Sequence, residues 1–230
     1  MSAKPDPAEL KQAMERVAAA ARRAFGLGLQ SNAGGNLSLR LRSAEAIVIK
    51  PSGVGFAECG PANLQLVHLD GRVEPSEHKP SKDLGFHLEI YRRRPDVGGI
   101  VHCHSPWATG YASAGIEIPC LTVQTVEKIG RIPLIPLAAG VGAQTEEEIG
   151  PVFADPAVRG AVLANHGSVG VGPDIEAAGH IAEIIEETAH IAFVRDALLA
   201  ANSLPAPPAP QLGTPAESRR RKQEEKKKGG

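Results

Sequence analysis

Cysteine, aromatic side chains and unbalanced charge are all scarce in this chain, and each scarcity closes off a class of protein. There are three cysteines (Cys59, Cys103, Cys120), an odd number without Cys-x-x-Cys spacing. That usage argues against a disulfide framework and for a reducing compartment. Aromatics make up 3% of the 230 residues against 42% hydrophobic residues, so the core has to be built from Ala, Val, Ile and Leu. The formal net charge is -1, which gives no electrostatic case for nucleic acid or membrane surfaces. No apolar run reaches the roughly 18 residues of a membrane span. The first residues contain no apolar leader, and Asp6, Glu9 and Glu15 argue against a transit peptide in the Ala- and Arg-rich stretch 9–26. A soluble cytoplasmic protein is expected, as one domain over 1–203 with a tail over 204–230. No internal repeat is found.

Hydrophobic spacing lays out the elements. Leu10, Met14, Val17, Ala18, Ala21 and Phe25 recur at helical intervals over 8–26, and Gly26 and Gly28 stop that helix. A polar, glycine-rich loop over 31–36 precedes alternating residues 37–42, a half-buried strand, and a second strand over 46–50. A third strand over 64–69 ends in Asp70-Gly71, a hairpin-turn signal. Leu84, Leu88 and Tyr91 mark an amphipathic helix over 83–93, with Asp83 at its N-terminal end, where an acidic group suits the helix dipole. Residues 117–140 read as irregular apart from a short strand over 132–137, and 146–153 as helical. A buried strand over 161–164 ends at Asn165-His166-Gly167, with 168–171 extended and the longest helix running from 174 to about 201. The stretch 204–230 combines a Pro-Ala-Pro-Pro-Ala-Pro segment with a charged, apolar-free end, a composition expected to be disordered.

Chemistry concentrates at His102-Cys103-His104. At the end of a short strand, Val101 and Cys103 face one side and His102 and His104 the other. Ser105 suits an N-cap and Pro106 the first position of the helix that follows. Two imidazoles on one face of a strand are half of a metal site. His166 also ends a buried strand, between Asn and Gly, and completes a set of three with an open fourth position. Neutral imidazoles suit Zn²⁺, with Mn²⁺ or Co²⁺ as alternatives. His68, His78, His180 and His190 have no ligand spacing, His87 is a core or site-lining residue, and Cys103 packs.

Six stretches, taken together and in order, resemble the class II aldolase/adducin family. They are Gly35-Asn36-Leu37-Ser38, Pro51-Ser52-Gly53, Leu66-Val67-His68-Leu69-Asp70-Gly71, Pro80-Ser81-Lys82-Asp83 with His87-Leu88-Glu89-Ile90-Tyr91-Arg92, Val101-His102-Cys103-His104-Ser105, and Asn165-His166-Gly167. The resemblance spans about residues 8–200. It implies a three-layer α/β/α fold around a mixed, largely antiparallel central sheet, assembled as a homotetramer with sites near subunit interfaces. It implies that His102, His104 and His166 bind a divalent metal and that Asp83 stands at the acidic catalytic position, which is Glu in the aldolases, as a metal ligand or catalytic base, and Asp in the epimerases. Asn36, Ser52, Gly53 and Ser81 match positions that bind a substrate phosphate, a task suited to an anion nest. Lys82 departs from the pattern, which has a second Ser there; it is counted with them, either as a point charge on the phosphate or as the sign of a different anion.

The implied activity is a metal-dependent aldolase. It would cleave a phosphorylated ketose, such as a fuculose-, deoxyribulose- or methylthioribulose-type ketose 1-phosphate, to dihydroxyacetone phosphate and an aldehyde through a metal-stabilised enediolate. Alternatives on the same fold are a 4-epimerase, a phosphosugar-acid decarboxylase and a methylthioribulose-phosphate dehydratase. A non-catalytic adducin-like scaffold is a different class, against which the three histidines argue. Two further features depart from the family. Tyr91 and Tyr111 are the only tyrosines, neither where the aldolases use one, and 121–131 lacks the epimerases' Asp-containing segment. The proton donor to the leaving aldehyde is open among Glu127, Gln124 and a metal-bound water. Few polar or aromatic residues over 107–126 suit an apolar aldehyde.

Overall fold

The computed structural model describes residues 4–136, 143–207 and 210. Helix α1 (Pro7–Gly26) is capped by Asp6, whose carboxylate accepts from the backbone N–H of Ala8 and Glu9. Strands β1 (Asn36–Arg40), β2 (Ala46–Ile49) and β3 (Gln65–His68) follow, then α2 (Leu84–Arg93), β4 (Gly99–Cys103) and α3 (Pro106–Ser113). The chain continues through α4 (Val123–Lys128), β5 (Leu134–Ile135), α5 (Ala143–Phe153), β6 (Gly160–Leu163), β7 (Gly167–Gly172) and α6 (Ile175–Ala201). Among the described residues no helix is long and apolar enough to cross a membrane. Most of the tail expected to be disordered, 204–230, lies outside the described residues, as does Leu137 at the end of the strand expected over 132–137.

The strands form one seven-stranded sheet in the order β3-β2-β1-β4-β7-β6-β5. Every neighbouring pair is antiparallel except β5 and β6. Helices cover both faces, which makes three layers. On one face, Leu37, Leu39, Val48, Val101 and Cys103 pack against Val17, Ala21, Ala178 and Ala182 of α1 and α6. On the other, Ile47, Ile49, Ile100, Ala161 and Val169 pack against Phe86, Ile90, Ile149 and Phe153 of α2 and α5. Strand alternation decides which face each side chain takes, and Val162 of β6 joins a third cluster with Ala108, Ile181 and Ile185 of α3 and α6. The burial of about 47 apolar side chains, nearly all aliphatic, closes the core without aromatic bulk.

The structure corrects two expectations of local structure. Residues 123–128 are helical, not irregular, and Thr122 caps that helix by accepting from Thr125 N–H. The polar side of β1 is not solvated: Ser38 is fully buried, because α2 lies over it.

Candidate metal centre

Register brings the site together. On β4, His102 pairs directly with Asn36 of β1 on one side and with Val169 of β7 on the other. His104 lies just beyond the strand. His166 does not end a strand as expected but sits in the tight turn joining β6 to β7. Asn165 takes a left-handed φ of 56° there, a conformation Asn tolerates better than most residues. Gly167 is required by close approach: a Cβ at this position would lie 2.4 Å from the Cys103 carbonyl oxygen and 3.0 Å from His104 Cδ2. Gly34 in the β1 approach loop is similarly pressed, since a Cβ there would lie 2.8 Å from His104 Nδ1.

The three imidazoles converge. Their ligating atoms lie within 4.8 Å of one another, and the Nε2 atoms of His102 and His104 are 3.1 Å apart. His102 donates from Nδ1 to the Ser168 carbonyl oxygen at 2.9 Å, which fixes its tautomer and leaves the Nε2 lone pair facing the group. Burial pushes His102 well below the usual histidine range, helped by the charge repulsion of His166 and His104. Burial also lowers His104 and His166. Three neutral imidazoles with lone pairs turned towards one point fit a divalent ion of borderline softness. His166 Nδ1 and Asp83 Oδ1 are buried and make no hydrogen bond, which leaves both available to a ligand at this point.

Asp83 is almost buried, with Oδ2 3.7 Å from His102 Nε2. It stands at the N-cap position of α2 but makes no side-chain capping bond. Its Oδ2 instead accepts from Asn36 Nδ2 at 2.6 Å. Ser52 and Ser81 lie on two turns bonded to each other: Ser52 N–H donates to the Lys79 carbonyl and Ser52 Oγ to the Pro80 carbonyl, at 3.0 and 2.9 Å. Ser81 Oγ accepts from Asp83 N–H at 3.3 Å, and Gly53 has a φ of 78° that its turn demands. Lys82 is exposed to solvent. The structure therefore brings Asn36, Asp83, His102, His104 and His166 together, with the Ser52–Gly53 and Ser81 turns tied to the Asp83 end. Gln124 and Glu127 are exposed on α4, and Gln124 lines a separate cavity with Arg159, His180 and Glu183. Tyr91 is buried and bonds Ser38, on the far side of His87 from Asn36.

Two residues escaped the sequence analysis. Lys50 is 1% exposed and donates to the carbonyls of Ala33 (3.4 Å), Pro51 (3.1 Å) and Val54, clamping the loop before β1 to the turn that carries Ser52. Burial lowers its ammonium, against the attraction of Asp83. Its only signal is a charge closing an apolar strand just before Pro51. Gln30, also buried, accepts from His104 N–H at 2.7 Å. Nothing in the polar loop around it marks that contact.

Comparison with known proteins follows the same lines. Residues 15–193 match the family described as class II aldolase and adducin N-terminal domain. YgbL of Escherichia coli, provisionally assigned as an aldolase/epimerase/decarboxylase, is 28% identical, with a TM-score of 0.76 over 89% of this chain and 95% of that one. The L-fuculose-1-phosphate aldolase of Thermus thermophilus is 23% identical, with a TM-score of 0.73 over 87% of this chain and 100% of its own. Another L-fuculose 1-phosphate aldolase has a TM-score of 0.78 at 22% identity, over 90% and 92% of the two chains. At those identities the two aldolases share the fold.

Proposed function

This chain belongs to the class II aldolase and adducin family, and on that premise we propose that it is a divalent-metal-dependent aldolase. In this reading it cleaves a ketose 1-phosphate of fuculose, deoxyribulose or methylthioribulose type to dihydroxyacetone phosphate and an aldehyde. The observation that carries it is the convergence of three neutral imidazoles on a carboxylate with one unpartnered oxygen, Asp83 Oδ1. The structural likeness to fuculose-phosphate aldolases supports the substrate class.

His102, His104 and His166 would hold the ion, taken to be Zn²⁺. When bound, a divalent metal supplies Lewis-acid stabilisation of the negative charge that develops beside the carbonyl as the carbon–carbon bond breaks. The hydroxyl that becomes the aldehyde loses its proton to water, and Asp83, having taken a proton from water on Oδ1, delivers it to the dihydroxyacetone phosphate carbon in exchange for the broken bond, so that no net proton is gained or lost. It is one methylene shorter than the Glu of the family's aldolases, and its remaining oxygen is held by Asn36. The phosphate is bound by the backbone N–H groups and hydroxyls of the Ser52–Gly53 and Ser81 turns, with Lys82 adding charge from the rim. Asn36 contributes its second amide hydrogen.

We place the protein in the cytoplasm, in keeping with three free cysteines. We expect a homotetramer. The exposed Trp107, Phe193, Val194 and Leu198, one apolar surface of α3 and α6, support self-association.

A second reading within the family rests on the 28% identity to YgbL and on Asp at position 83. It makes the protein an epimerase, decarboxylase or dehydratase using the same charge stabilisation. A panel of ketose 1-phosphates and ketose 5-phosphates with Zn²⁺, Mn²⁺ or Co²⁺ separates the two. Release of dihydroxyacetone phosphate from a ketose 1-phosphate is expected. A different product from any member of the panel, with no such release, sinks the aldolase reading. Protein that takes up no metal through its histidines would point to the scaffold class.

A further inference from the structure

We propose that His87 is a positioning residue for Asp83, acting through Asn36, and that the polar seam between β1 and α2 fixes the orientation of that carboxylate. The catalytic part of this inference rests on the proton transfer proposed above; the geometric part stands without it.

The seam is built from two matched periodicities. On β1, Asn36, Ser38 and Arg40 alternate with the core residues Leu37 and Leu39 and face α2. Asp83, His87 and Tyr91 follow at four-residue intervals and bring one side of α2 over them. The bonds are continuous: Tyr91 OH to Ser38 Oγ (2.8 Å), Ser38 Oγ to His87 Nδ1 (2.7 Å), His87 Nε2 to Asn36 Oδ1 (2.6 Å), and Asn36 Nδ2 to Asp83 Oδ2 (2.6 Å).

Donor counting gives the chain one direction. A carboxylate accepts, so Asn36 turns its NH₂ towards Asp83 and its carbonyl towards His87. His87 must then donate from Nε2, which makes Nδ1 the acceptor for the Ser38 hydroxyl. With that proton committed, Ser38 Oγ can only accept from Tyr91. Every donor points towards Asp83, and each assignment fixes the next. Tyr91 closes the far end, within 3.0 Å of the Ser38 carbonyl and 3.4 Å of the Gly98 carbonyl.

A simple satisfied core would not need this arrangement, because apolar residues of similar volume would fill the space at least as stably. The chain instead ends at the carboxylate beside the imidazoles, engages one of its oxygens and leaves the other free. Neither His87 nor Ser38 is accessible to a substrate, since both are fully buried. His87 therefore acts only through Asn36.

The test uses two replacements that mimic different ring nitrogens. In His87→Gln the side-chain NH₂ can reach the place of Nε2–H and serve Asn36. In His87→Asn the shorter amide reaches only the place of Nδ1. With metal content matched to wild type, His87→Asn is expected to lower kcat by roughly 10–100-fold, the usual cost of an outer-shell partner. KM should stay within about twofold, and His87→Gln should recover most of the loss. Crystal structures should show the Asp83 carboxylate turned from Asn36 in His87→Asn and held in His87→Gln. Equal losses in the two variants, or an unmoved Asp83 in His87→Asn, overturn the proposal. If His87→Asn does not fold, Ser38→Ala decides: a fall in kcat of about tenfold at unchanged KM supports it, and wild-type kcat overturns it. A wild-type protein that releases no dihydroxyacetone phosphate refutes the aldolase reading and leaves the crystallographic comparison to judge this one.

Discussion

Arg94 and Asp83 are both charged side chains nearly closed to solvent, at 5% and 8% exposure, and their surroundings treat them in opposite ways. Arg94 follows α2 and spends every donor. Its Nε and Nη2 bond both carboxylate oxygens of Asp96 at 2.7 and 2.8 Å, and Nη1 bonds the carbonyls of Phe153, Asp155 and Val158. Asp83, just before the other end of the same helix, keeps Oδ1 unpartnered beside imidazoles whose lone pairs face one another. A satisfied buried ion knits segments together and has nothing left to offer a ligand. An unsatisfied one costs stability, which is the sign of a group kept for a ligand. The difference separates scaffold from site more sharply than burial alone.

The strongest way to break the comparison is to remove an imidazole. His102→Ala should abolish stoichiometric metal uptake and lower activity by at least about 100-fold, beyond the usual cost of an outer-shell partner. The metal-free protein should lose about 2 kcal/mol, the cost of the cavity and of the unpaired Ser168 carbonyl. Metal analysis, turnover and urea unfolding report the three quantities. Arg94→Ala should act on stability alone. The carbonyls of Phe153, Asp155 and Val158 lose a charged donor, at a cost of about 3 kcal/mol in urea unfolding, while metal stoichiometry is retained.

Acid should also act on the site side first. Burial depresses His87 from 6.5 to about 3. In the unfolded chain it takes up a proton near 6.5, so between those values the unfolded state binds more protons and stability rises with pH. The contribution is fully present above about pH 6.5 and is lost as pH falls towards 3. His102, His104 and His166 shift in the same direction. Unfolding free energy of the metal-free protein should therefore decline below pH 6.5 by about 1.4 kcal/mol per pH unit for each such histidine titrating. A flat profile from pH 7 to 5 would contradict the burial of these groups. The smallest effect concerns the helix after His104. Glu186 accepts from Trp107 and Ala108 N–H at 3.0 and 2.8 Å. Glu186→Ala should cost about 1 kcal/mol, the value of a lost helix cap, seen as a lowered urea midpoint.

Much of this site is legible in the chain. The alternation around His102 and His104 gives the shared face, and the small or polar neighbours of His166 signal close backbone approach. Legibility fails where a partner comes from far along the chain. Ser105 is the cap that the sequence suggests for α3, yet it stands at the N-cap position with Oγ buried and unbonded, and Glu186 on α6 takes over the cap. The α4 helix escapes sequence reading because six residues carry too few apolar positions to show a period. Asn36 matches a phosphate-binding position by resemblance. Its bond to Asp83, across 47 residues of sequence, cannot be read from either segment alone.

The sequence by itself determined the strands and most of the helices, the pair of histidines at the end of β4, the third histidine and the family. Those are local or near-local properties, set by side-chain alternation, helical spacing and turn chemistry. Tertiary structure alone decided what surrounds them: α2 laid over the polar side of β1, Lys50 clamping two loops, and a hydrogen-bond chain with one direction. Donors and acceptors commit to a partner only when burial removes water as the alternative, and burial is a property of the folded whole.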